Sequence, residues 1–204
     1  VVDTYPAGSF EELIPVLGWR QKNVFVFREQ RQESFQSALL QASLPLYDAL
    51  IVPHDHLTPV GPLPEPAKAH AVGPILIRER RELLSRAAAR QALGLPADGL
   101  LFYASFGGGG DPEAQRALDL TMAALADLPS IRLAVGAGPL LRAPPRGCAN
   151  VSILSGRYPM LDALPAFDAA IVAAGYNTVH ELLFAGVASA LVPFERVLDD
   201  QYVR

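Results

Sequence analysis

Short apolar, β-branched runs alternate with helix-period patterns along almost the whole sequence, and this constrains the fold more than any other feature. Such alternation is the mark of βαβ units, in which parallel strands are joined through crossover helices. An α/β chain with doubly wound, Rossmann-like parallel sheets is predicted. In the first part the strands are Val1 to Asp3, Asn23 to Arg28 and Asp48 to Pro53, with helices between them. The first helix is expected to start at Ser9, which with Glu12 forms a capping-box spacing.

The stretch Thr58 to Pro74, "TPVGPLPEPAKAHAVGP", carries five prolines and two glycines and keeps no period of strand or helix. It reads as a linker, or else as a long ordered loop crossing one domain. The linker reading divides the chain into residues 1–73, the latter part of an incomplete amino-terminal domain, and residues 74–204, a carboxy-terminal domain. In the second domain, "IRERRELLSRAAARQALGL" reads as one Arg-rich amphipathic helix ending near Gly94. Strands follow at Leu100 to Ser105, Ile131 to Gly136, Asn150 to Leu154, Asp168 to Ala174 and Ala188 to Phe194. Helices are expected from Pro112 to Asp127, near Met160 and after Ala174.

Composition narrows the function. The net charge is -4 and only two of the seventeen basic residues are lysines, so no polybasic surface for nucleic acid is evident. No uncharged apolar run approaches the roughly twenty residues of a membrane-spanning helix, and nothing at the start resembles a signal peptide. A cytoplasmic protein is expected. The single cysteine, Cys148, makes neither an internal disulfide nor a zinc site and reads as loop packing. The sequence starts without Met in a strand pattern and stops as a helix begins, which suggests a part of a longer protein.

Three strand-to-helix turns bear glycines, and in open parallel sheets such turns line the ligand crevice. In "SFGGGGDPE", the glycines from Gly107 through Gly108 and Gly109 to Gly110 leave main-chain N–H groups open to a ligand, or else only make a sharp turn before Asp111 as N-cap and Pro112. Position 112 lacks the third glycine of a dinucleotide fingerprint, and no phosphate-loop motif occurs. "GAGPLL", from Gly136, reads as a loop-forming pair. In "AAGYNTVHE", Thr178 and Glu181 have capping-box spacing; alternatively, Glu181 accepts ribose hydroxyls while Gly175, Asn177 and Thr178 offer N–H groups to a diphosphate at a helix N-terminus. At the end, Asp199, Asp200 and Gln201 are either a solvated helix start or ligands for sugar hydroxyls.

The run Ala174-Gly175-Tyr176-Asn177-Thr178, then Glu181, "LFAGVASALVPF" and Asp200-Gln201, resembles the donor-binding signature of GT-B glycosyltransferases. It is most like the branch containing the lipid II N-acetylglucosaminyltransferase and the UDP-glucuronosyltransferases, and it departs at Ser189, where Pro is frequent. The resemblance implies that Gly175, Tyr176, Asn177 and Thr178 contact the nucleotide diphosphate, Glu181 the ribose, and Asp200 or Gln201 the donor sugar. It also places "SFGGGG" at an interdomain cleft and "SGRYPM", with Arg157 and Tyr158, against the base. The family's general base lies in sequence that this chain does not contain, so no catalytic residue is assigned.

Pro53 to His56, "PHDH", is weak as a metal site and reads as a loop near the acceptor, with His54 foremost. No Asp-x-Asp pair occurs, and neither metal nor cofactor is expected. The leading expectation is metal-independent transfer, with inversion, from a nucleotide-diphosphosugar such as a UDP-sugar to a lipid-linked or small-molecule acceptor. The alternatives are a nucleotide-sugar 2-epimerase on the same fold and a non-catalytic sugar-nucleotide-binding subunit.

Overall fold

The computed structural model describes residues 1–19, 21–28, 37–53, 65–108, 110–126, 128–140, 150–196 and 200–203. Gly109, the "HDH" of residues 54–56, Cys148, Asp199 and the first part of the expected linker, residues 58–64, lie outside them. Two compact units emerge: Val1–Ile75 with Glu195–Asp200, and Leu76–Phe194 with Gln201–Arg204.

The first unit is built on a four-stranded parallel sheet of β1 (Val2–Asp3), β2 (Val24–Val26), β3 (Ala49–Val52) and β4 (Ala69–Ala71), paired in that order. Short helices α1 (Ile14–Leu17) and α2 (Ala38–Ser43) belong to this unit. Phe25, Phe27, Leu44, Tyr47, Leu50 and Val52 form its core. Buried in that core, Tyr47 donates its hydroxyl proton to the Pro6 carbonyl at 2.5 Å. Two expectations change here. Ser9 does not start a helix: Glu12 instead accepts from the Phe10 N–H at 2.7 Å, and α1 begins at Ile14, where Pro15 supplies the preset φ of a first turn. The Pro-rich stretch contains β4, which pairs with β3 as an edge strand, a place where a short run tolerates flanking prolines.

The second unit carries a five-stranded parallel sheet: β5 (Leu100–Ser105), β6 (Ile131–Ala137), β7 (Val151–Ser155), β8 (Ala169–Ala173) and β9 (Ala188–Val192). Their order across the sheet is β7-β6-β5-β8-β9. Alternate residues of the central strand feed opposite cores. Leu101 and Tyr103 face α3 (Arg86–Ala92), a 3-10 turn at Leu161–Ala166 and α5 (Tyr176–Ala185). Ala104 and Phe106 face α4 (Pro112–Ala126) through its Ala114, Leu118 and Leu125. The sheet is thus covered on both faces, as near-continuous apolar strands require.

The Arg-rich stretch is not one helix. A 3-10 turn at Arg80–Glu82 precedes a break, and α3 then starts at Ser85, whose hydroxyl accepts from the Ala88 N–H at 3.3 Å. Two residues of this stretch anchor to the other side of the unit. Arg80 lies over the Phe184 ring, 4.8 Å from its centroid, and Arg90 is buried against Asp168.

Candidate functional site

The chain runs outward from β5 through β6 to β7, then returns across the sheet to β8 and β9. The strand order therefore reverses between β5 and β8, and ligands of open α/β sheets bind outside the carboxyl ends of the strands at such a point. A cavity of about 610 Å³ lies there. Tyr103, Ser105, Gly107 and Gly108 line it from β5 and its turn; Gly136 to Pro139 do so from the end of β6; Leu154 and Gly156 to Tyr158 from the end of β7; Met160 and Leu164 from the following turn; and Thr178, Glu181 and Leu182 from α5.

The first two glycine turns support each other. The Leu140 N–H donates to the Gly108 carbonyl at 2.8 Å, and a Cβ on Gly138 would collide with the main chain of Gly107 and Gly108. Gly138 is thus a close-approach position, more than the loop former its sequence suggests. Gly138→Ala is expected to cost roughly 1–3 kcal/mol, because the obstacle is backbone and cannot swing aside. Gly108→Ala, where an added methyl meets nothing within 4 Å, is expected to stay within about 0.5 kcal/mol. Urea denaturation of both variants measures the difference.

Two helix N-termini follow the strand ends, and they differ. At α4 the Asp111 carboxylate accepts from the Glu113 N–H at 2.9 Å, as an N-cap does, so its own negative charge occupies that end. At α5 the N-cap is Gly175, with an extended backbone (φ -68°, ψ 145°), and no side chain caps it. Its carbonyl accepts from the Val179 N–H at 3.0 Å. Thr178 is consequently the third helical residue, and the Thr178–Glu181 capping box does not form: the helix has started three residues earlier.

Glu181 is half-buried on α5 and lines the cavity. Burial pushes its carboxyl above the ordinary glutamate range. A guanidinium nitrogen of Arg157, which also lines the cavity, donates to Asp162 at 2.6 Å. Among the described residues no group of three His, Cys, Asp or Glu side chains is placed to hold a metal ion, and no helix is long and apolar enough to cross a membrane.

No protein-family model matches the chain, and no curated protein does. Solved structures do. The glycotransferase of kitacinnamycin superposes with a TM-score of 0.53 at 16% identity, over 96% of this chain and 51% of its own. The MurG protein of Acinetobacter baumannii superposes with a TM-score of 0.51 at 20% identity, over 94% of this chain and 50% of its own. The fold is that of the GT-B glycosyltransferases. The chain spans about half the length of these solved structures.

Within this GT-B fold, the residues singled out by sequence fall into three groups. Gly107, Gly108, Arg157, Tyr158, Thr178 and Glu181 line one cavity. Gly175, Tyr176 and Asn177 form the first turn of α5 beside it: Asn177 is exposed, while Tyr176 is buried with its ring 4.4 Å from that of His180. The last two are not among the residues that line the cavity. Gln201 is buried in the second unit, where its side-chain carbonyl accepts from the Phe194 N–H at 3.0 Å; Asp200 belongs to the first unit and pairs with Glu195 in an isolated antiparallel bridge. Tyr103 was not singled out by sequence as ligand-facing, and Ser105 and Gly136 only as parts of glycine-bearing stretches, yet all three line the cavity. A polar-tipped Tyr two residues before a Ser in an otherwise apolar strand was the available signal.

Proposed function

We propose that the second unit binds a nucleotide-diphosphosugar, with a UDP-sugar as the donor, and serves as the donor domain of a metal-independent, inverting glycosyltransferase whose acceptor is lipid-linked or a small molecule. The observation that carries this reading is the cavity at the strand-order reversal, which brings the first glycine turn, the α5 turn and Glu181 together.

Each part has a physical role. The N–H groups of the first α5 turn and the positive end of its dipole offset a diphosphate's charge, and they do so most strongly for the leaving group, whose charge grows in the transition state. Asp111 disfavours an anion at α4, so α5 is the end left for the diphosphate. Glu181 accepts the two ribose hydroxyls. The Gly156–Tyr158 strip, with exposed Tyr158 at the rim, meets the base. Among the described residues Arg157 is the one cationic side chain lining the cavity, and it already pairs with Asp162. Main-chain N–H groups therefore do most of the anion binding. With the donor fixed in this way, the protein's contribution to transfer is orientation together with stabilisation of the departing diphosphate.

Calorimetric titration of UDP, with TDP, GDP and NAD as comparators, tests the reading. Saturable binding of one nucleoside diphosphate in preference to NAD is expected. A folded chain that binds none of them overturns the donor-site assignment.

A further inference from the structure

Tyr103 sits where a phenylalanine would serve packing equally well. Its ring stacks on Phe167, with centroids 4.8 Å apart and planes at 25°, and the residue is buried. It pairs across the sheet with Ala134, and its hydroxyl extends along β6 to Gly136. A Cβ on Gly136 would collide with that hydroxyl, so the glycine makes room for the phenol tip, and both residues line the cavity. Ser105 follows on the same face of β5, and Glu181 reaches the cavity from α5. The remaining interior wall nearby is apolar: Leu154, Met160, Leu164 and Leu182.

A phenol in such surroundings calls for a polar partner. Burial pushes the Tyr103 hydroxyl up from its ordinary pKa, the Ser105 hydrogen bond opposes this, and the Glu181 charge adds to the rise. The group thus stays protonated at neutral pH. The Ser105 hydroxyl both donates and accepts, so it can serve the phenol oxygen and leave the phenol proton for another acceptor. Glu181 is within electrostatic reach and, when ionised, is an acceptor only.

We propose that Tyr103 is a specificity-determining contact of this cavity: its hydroxyl donates to the oxygen of one ribose hydroxyl whose own proton goes to Glu181. The pair then recognises a group that is donor and acceptor at once. A ribose hydroxyl meets both demands; a hydrogen at that carbon meets neither. The inference rests on the nucleotide-sugar reading and adds to it a second residue and a stated selectivity, for ribonucleoside over deoxyribonucleoside diphosphates.

The test is titration of UDP, 2′-deoxy-UDP and 3′-deoxy-UDP into the parent chain and into Tyr103→Phe. The parent is expected to favour UDP over one of the two deoxy ligands by about 10–100-fold, the value of two hydrogen bonds with one to a charged group. Tyr103→Phe is expected to weaken UDP about 3–10-fold while leaving that deoxy ligand's affinity unchanged, so that selectivity narrows by the same factor. Ser105→Ala, which keeps the phenol but frees its orientation, is expected to narrow it less. A structural role alone would move all three ligands together. Equal weakening of every ligand, no change in any, or a parent chain that does not discriminate overturns the inference while leaving the donor site standing. A folded parent chain that does not bind UDP overturns both.

Discussion

Arg90→Ala is expected to lower the stability of the chain by roughly 3–5 kcal/mol, the range for breaking a buried ion pair by removing one partner. Arg90 is 1% exposed. Its guanidinium donates to the carbonyls of Ala166 at 2.9 Å, Ala97 at 2.8 Å and Gly99 at 3.1 Å, and to the Asp168 carboxylate at 2.9 Å. These groups hold together α3, the loop that enters β5 and the residue that enters β8. Removing the fork takes the donor from the buried Ala166 carbonyl and from the part-buried carbonyls of Ala97 and Gly99, while Asp168 keeps Arg86 and the Leu101 N–H, and no other single side chain replaces its geometry. For a domain whose total stability is about 5–15 kcal/mol, the loss is decisive. Urea denaturation of the intact chain measures it, and a variant within about 1 kcal/mol of the parent overturns this account.

The same network carries a pH signature. Burial tends to raise the Asp168 carboxyl, but the Leu101 N–H and the charges of Arg86 and Arg90 outweigh it and hold the group below its ordinary range. A depressed carboxylate contributes stability that is present above its unfolded value near 3.9 and is lost as pH falls through the folded one. In Arg90→Ala the Asp168 value moves back up toward the unfolded one, so the acid limb contributed by this group is expected to be shallower and to end at higher pH.

Arg90 also shows where the sequence stops being informative. In "IRERRELLSRAAARQALGL" the arginines look alike, and a helical period offers no reason to bury one of them. The choice is made by Asp168, far along the chain, whose position becomes known only when β5 and β8 pair. By contrast, β5 and α4 are legible because their signals are local. Buried parallel strands are apolar throughout, and Asp111-Pro112 marks the helix start whatever the tertiary context. Edge strand β4 is hidden for the opposite reason: it is defined by its pairing with β3, and its own composition signals little.

The site follows the same division. Gly107, Gly108, Thr178 and Glu181 were legible as members of strand-to-helix turns, and the strand order brings them to one cavity. The role of Thr178 was not. A glycine N-cap has no side chain to announce it, so the Thr-x-x-Glu spacing pointed to a helix start three residues late. Gly136 and Gly138 were visible as glycines, but their neighbours, the Tyr103 hydroxyl and the Gly107–Gly108 main chain, are set by strand register and by packing between loops.

Glu181→Gln separates binding from folding at the centre of this site. The parent carboxylate is half-buried, and burial raises it above its ordinary range. A raised carboxyl binds its proton more tightly in the folded state, so ionisation is a destabilising cost that is fully present above the folded pKa and vanishes below the unfolded value near 4.3. Glutamine carries no charge and escapes that cost. At neutral pH the variant is therefore expected to melt higher than the parent, with the difference closing as the solution is acidified. Nucleotide affinity is expected to move the other way. Hydrogen bonds to a charged acceptor contribute about 1.5–3 kcal/mol against about 1 for neutral ones, so two weakened ribose contacts lower UDP affinity about 10–100-fold. Protonation of the diphosphate affects parent and variant alike and cancels in the ratio of their affinities. That ratio is thus expected to shrink as pH falls through the Glu181 transition. A lower melting temperature with unchanged affinity would make Glu181 a support of α5 alone. A higher melting temperature with lost affinity is what a carboxylate kept for its ligand, at the expense of the fold, produces.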